Sequence, residues 1–114
     1  MDYNSQIKDN ALLLTFSGDL IGEDNGIDLI EKVNSAIEER AVNCIIDISG
    51  LRYINSSGIG VLITILTKFR NKGGEMYLVS PSESVQKLLI ITKLNAIFNV
   101  EDSVDDAISR INSN

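Results

Sequence analysis

The feature that most constrains this chain is a change of hydrophobic period near its middle. CIIDI, residues 44 to 48, is a short apolar run holding a single acid, the pattern of a strand buried on both faces. From Ser57 to Lys72 the period becomes helical. At about 100° per residue, Ile59, Val61, Leu62, Ile65, Leu66 and Phe69 share one broad face, Thr64, Thr67, Lys68 and Asn71 lie opposite, and Ile63 falls at the edge. A buried strand followed by an amphipathic helix needs further strands beside it and a sheet under the helix, which points to an α/β architecture.

The rest of the chain repeats that alternation. Tyr3 to Ile7 and ALLLTFSG, residues 11 to 18, read as a hairpin around a KDN turn. DLIGEDNG reads as a glycine-rich connection. A helix is expected from Ile27, with Leu29, Ile30, Val33, Ala36 and Ile37 at spacings of three and four, closing at Glu39-Arg40. After CIIDI, the stretch SGLRYI reads as a link into the second helix, and NKGGE stops that helix. MYLVS is a short strand, Pro81 and Ser82 open a third helix, Phe98 to Val100 form a last strand, and EDSVDDAISRI is a final helix. The order β-β-α-β-α-β-α-β-α predicts one domain over residues 1 to 114. Its mixed central sheet has four to five strands and carries about four helices.

Composition removes several classes of function. The net charge of −6 comes with no basic block, so neither a nucleic-acid footprint nor a polybasic membrane patch is present. The polar start MDYNSQIKDN has no signal-peptide pattern, and no apolar run reaches the roughly 20 residues of a membrane helix; the expected address is the cytoplasm. Histidine is absent, which excludes Ser-His and Cys-His couples. Cys44 is the single cysteine, too few for a thiolate metal cluster, and reads as a small buried hydrophobe. Gly58-Ile59-Gly60 lacks the third glycine of a dinucleotide loop, and no GK[ST] phosphate loop occurs. Glu23, Asp24 and Asp28 read as a solvated helix start in preference to a metal site, because acids are favoured there.

One junction remains for function. In RYINSSGIGVL, residues 52 to 62, NSSG sits between strand and helix. Asn55 or Ser56 would serve as N-cap, an interaction worth roughly 1 kcal/mol. Capping leaves a second hydroxyl unexplained. A hydroxyl at a helix N-terminus is exposed, and the positive end of the helix dipole favours added negative charge. Phosphoserine adds about −1.5 to −2 charges at pH 7. Gly58 would let another chain approach closely, and Ile59 and Ile63 stand beside the hydroxyls. A phosphate there could abolish docking without refolding the domain.

These segments resemble the STAS domain, the fold of bacterial anti-sigma factor antagonists, over nearly the whole chain. SGDLIG (17 to 22) sits where the family has its glycine–acid–hydrophobe turn. IIDISGLRYINSSGIGVL (45 to 62) is similar to the family's strand, loop and D-S-[ST]-G-[LI]-G signature. KGGEMYLVSPSESVQKLLIITKLNAIF (72 to 98) resembles the segment that follows. The resemblance implies a non-enzymatic partner switch. Unphosphorylated protein would bind a serine kinase that is also the anti-sigma factor, and so free the sigma factor; phosphorylation of Ser56 would release the protein, and a phosphatase would restore it. Ser57 matches the second hydroxyl position. Asn55, Ser56, Ser57, Gly58, Ile59, Ile63, Ile21 and Glu23 would form the partner face. The nucleotide belongs to the kinase, so the chain needs no cofactor. Two positions depart from the family pattern: Asn55 replaces the signature acid, and Ile21 replaces an acid after Gly18-Asp19. The alternative is a constitutive STAS module in a larger signalling or lipid-transport assembly, never phosphorylated.

Overall fold

The chain makes its first turn at Asp9 and Asn10, both with positive φ (52° and 66°), as a two-residue hairpin loop of the primed type requires. The computed structural model describes residues 1–113, apart from the side chains of Glu23, Asp24 and Asn25. Strand β1 (Asp2–Lys8) pairs antiparallel with β2 (Ala11–Leu20). β3 (Asn43–Ile54), β4 (Met76–Val79) and β5 (Asn99–Glu101) then add in parallel, giving a five-stranded sheet in the order β1-β2-β3-β4-β5. The helices are α1 (Gly22–Glu38), α2 (Ser56–Arg70), α3 (Glu83–Ile91) and α4 (Val104–Asn112), with a 3-10 turn at Leu94–Ala96.

Alternation along the strands sorts the core into two layers. On one face Leu12, Leu14, Phe16, Cys44, Ile46, Ile48, Met76 and Leu78 meet Leu29 and Val33 of α1, Leu62, Ile65 and Phe69 of α2, and Val85 and Leu89 of α3. On the other, Ile45, Tyr77 and Val79 meet Ala107 of α4, with Leu13, Val104, Ile108 and Ile111 partly covered around them. The mixed α/β sheet with four helices agrees with the sequence expectation, and so does the burial of Cys44. Ser82 and Ser103 cap their helices, accepting from the N–H groups of Val85 (3.4 Å) and Asp106 (3.1 Å).

Three expectations are corrected. SGLRYI is not a link: β3 runs on through it to Ile54, paired with β2 as far as Leu20. The register slips between Thr15 and Ser17 and again between Gly18 and Asp19, so β3 carries extra residues against β2. These bulges break the strict alternation that would mark a strand in sequence. Second, α1 starts at Gly22, five residues before Ile27. The glycines of GEDNG lie inside the helix because another element packs tightly against them, as described below. The last strand is shifted by one residue, to Asn99–Glu101, and Phe98 goes into the core.

Candidate functional site

The end of β2 and the start of α2 are tied together. The Asn55 N–H donates to the Leu20 carbonyl at 3.2 Å. Asn55 is extended (φ −92°, ψ 178°), and its Oδ1 accepts from the Gly58 N–H at 2.7 Å. Its carbonyl accepts the Ile59 N–H at 3.0 Å. Asn55 is therefore the N-cap, and Ser56 is released from that task. Ser56 and Ser57 occupy the first two helical positions, both exposed. Among the described residues the Ser56 hydroxyl takes part in no hydrogen bond.

Gly58 is buried, contrary to the expectation that it admits another chain. The backbone it admits is the protein's own: a Cβ there would stand 2.3 Å from the Leu20 carbonyl oxygen. Gly58 thus fixes the height of the helix start above β2. A second close approach comes from α1. A Cβ at Gly22 would lie 2.6 Å from the Ser57 carbonyl oxygen, and one at Gly26 would lie 3.4 Å from Val61 Cγ2. The i, i+4 spacing of Gly22 and Gly26 matches that of Ser57 and Val61, so α1 and α2 run side by side from the serines onward.

Of the sequence-derived partner residues, Asn55, Ser56, Ser57 and Gly58 stand together at the helix start. Ile21, the residue preceding α1, is half-buried directly after Leu20, so it lies next to the Asn55 anchor. The two departures from the family pattern therefore meet at one place. Ile59 is half-buried against the core, whereas Ile63 is 38% exposed. The side chains of Glu23 and Asp24 lie outside the described residues.

Sequence reasoning missed an apolar groove between α1 and α2, lined by Gly26, Ile27, Ile30, Gly60, Val61 and Thr64 and reaching Ser57. Ile27 on its rim is 81% exposed. Its one signal in the sequence was an isoleucine, Ile27, at the expected start of the helix, directly after the glycine-rich connection. Tyr53, two residues before the cap, is 55% exposed and was also missed.

Charge at the site is sparse. α2 has no acid in its first turn and carries Lys68 and Arg70 in its last, so the field at its N-terminus is not cancelled by a neighbour on the same turn. Arg52 reaches Asp19 at 3.5 Å across the exposed ends of β3 and β2, a solvent-screened contact of little energetic weight. Burial pushes the Cys44 thiol well above its usual range, which leaves it an inert core group. Among the described residues no helix is long and apolar enough to cross a membrane.

The mixed five-stranded sheet with four helices defines the class of fold, and the chain belongs to the STAS domain family, whose profile matches residues 2–107. A candidate anti-sigma factor antagonist of Thermotoga maritima is 33% identical over 64 residues, a stretch covering 56% of this chain and 57% of that protein. The match thus spans little more than half of that relative's length. The crystal structure of a candidate anti-sigma factor antagonist from Thermotoga maritima superposes with a TM-score of 0.85 at 25% identity, over 96% of this chain and 94% of that one. The Bacillus cell fate determinant SpoIIAA in its phosphorylated form superposes with a TM-score of 0.73 at 17% identity, over 96% and 99% of the two chains, a likeness of fold.

Proposed function

We propose that this protein is a non-enzymatic anti-sigma factor antagonist that works by partner switching, with Ser56 as the phosphorylated residue. The observation that carries the reading is the Ser56 hydroxyl: it stands exposed at the first position of α2, while Asn55 does the capping. A phosphate on Ser56 can be added without removing the cap or opening the core. It would sit in the favourable field of the helix start and carry about −1.5 to −2 charges onto the docking face.

In the unmodified state that face offers Ser56, Ser57, Ile63 and the groove rim at Ile27, framed by Ile21 and Asn55. An anti-sigma factor of the serine-kinase type binds there and gives up its sigma factor. Phosphorylation places charge beside apolar contacts, and repulsion and desolvation then release the partner. A phosphatase resets the switch. Nucleotide is supplied in the kinase's own site, and the exchange takes place in the cytoplasm. Anti-sigma factor antagonist relatives, and separately a fold neighbour solved in phosphorylated form, support this reading.

The test is a pull-down from the native cells with wild-type protein and with Ser56→Asp. The wild type is expected to retain a kinase-type anti-sigma factor and Ser56→Asp to lose it, with unchanged circular dichroism. Equal retention by both would overturn the switch and favour the constitutive module.

A further inference from the structure

Strand β1 is an open sheet edge with a self-complementary sequence. Its seven residues pair with β2 without a register break, from Asp2–Ser17 to Lys8–Ala11. Among the described residues no element pairs with its outer side. Proteins guard such edges with charged side chains, proline, bulges, inward charges or very short strands. DYNSQIK has only the first of these: Asp2 and Lys8, of opposite sign, at opposite ends and equidistant from Ser5. Tyr3, Ser5 and Ile7 lie on the helix side: Tyr3 stacks edge-on against Phe16 and bonds Asp28 of α1, and Ser5 and Ile7 line a groove beside α1. Asp2, Asn4, Gln6 and Lys8 lie on the opposite side.

We infer that β1 pairs antiparallel with β1 of a second copy of this chain, with Ser5 opposite Ser5 on the two-fold axis, making one ten-stranded sheet. This is the only antiparallel register that engages all seven residues. It places Asp2 opposite Lys8 of the second copy at both ends, Asn4 opposite Gln6, and Tyr3 opposite Ile7. Every charge meets its opposite and every polar residue meets a polar one, the pairing that stabilises cross-strand neighbours. Ile7, 41% exposed in the single chain, gains the Tyr3 ring as its neighbour. Each copy carries a net charge of −6, so association depends on these local pairs overcoming a general repulsion. The edge lies across β2 from the α2 docking face, and the dimer stands independently of the switch.

The test is sedimentation equilibrium on wild type, Asp2→Lys and Lys8→Asp. Both side chains are exposed, so the variants are expected to fold, as circular dichroism will check. The wild type is expected to be a reversible dimer. Each single variant sets two like-charge contacts against each other and is expected to weaken the dimer about tenfold or more. A one-to-one mixture of the two variants restores both ion pairs and is expected to regain wild-type affinity as a heterodimer. A wild type that stays monomeric at its highest soluble concentration would overturn the inference. So would single variants that dimerise as tightly as wild type, which would place the interface elsewhere.

Discussion

Gly22 packs face to face on Ser57: a Cβ at Gly22 would stand 2.6 Å from the Ser57 carbonyl oxygen and 3.0 Å from its Cβ. The first turn of α1 therefore forms one wall of the serine site, and the height of that wall is set by a missing methyl group. Gly22→Ala must push α1 outward or distort the first turn of α2. The expected cost is about 1–3 kcal/mol in urea unfolding, as for other overpacking changes. Gly60→Ala is the control. Nothing lies within 4 Å of a Cβ there, and the residue is inside α2. It is expected to be neutral or to stabilise by up to about 1 kcal/mol, because alanine is the better helix former. Equal effects of the two substitutions would refute the close packing.

Asn55 holds the site from the other side. Asn55→Ala removes the Oδ1 acceptor of the Gly58 N–H and is expected to cost about 1 kcal/mol. Asn55→Asp keeps that acceptor and adds a charge at the positive end of α2, whose first turn holds no acid. At neutral pH it is expected to match or exceed wild-type stability by a few tenths to about 1 kcal/mol. The gain should vanish as the pH falls through the carboxylate range. Thermal unfolding at several pH values reads both effects. An Asn55→Asp variant as unstable as Asn55→Ala would show that the cap is not made by this oxygen.

Tyr3 fastens the edge strand to α1. Burial first, then the hydrogen bond to Asp28, push its phenol from the ordinary 10.0 up to about 12. The raised value means that its share of stability is fully present below pH 10 and is lost as the pH rises through 12, since the unfolded chain gives up the proton first. Tyr77 and Cys44 are shifted in the same direction, both chiefly by burial. Tyr3→Phe should therefore flatten the alkaline decline without abolishing it. An identical decline in wild type and Tyr3→Phe would contradict the Tyr3–Asp28 bond as its source.

Much of the layer architecture was legible because its signals are local. The period change between CIIDI and the 57–72 segment, the helix start at Ser82, and the apolar stripe of α1 each follow from short-range pattern. The failures arose where distant segments decide. β3 continues through Gly50, Leu51, Arg52 and Tyr53 because β2 is there to pair with it, and its bulges hide the alternation. α1 begins at Gly22 because Ser57 leaves room for nothing larger, and glycine in isolation reads as a loop. At the site, sequence placed the serines at the helix start correctly. It could not choose between Asn55 and Ser56 as the cap, since both can accept a backbone N–H. It gave Gly58 to a partner, when the approaching backbone is that of Leu20. Ile27 was invisible as groove lining until α1 was known to extend past it.

The central claim is that the exposed hydroxyl of Ser56 accepts phosphate. Intact-mass analysis of the protein isolated from its native cells during growth and under stress, with fragmentation to locate the added mass, tests it most directly. The account expects one phosphate on Ser56 in a fraction of the molecules, changing between conditions. Absence of phosphate in every sample, or phosphate confined to another residue, would contradict it.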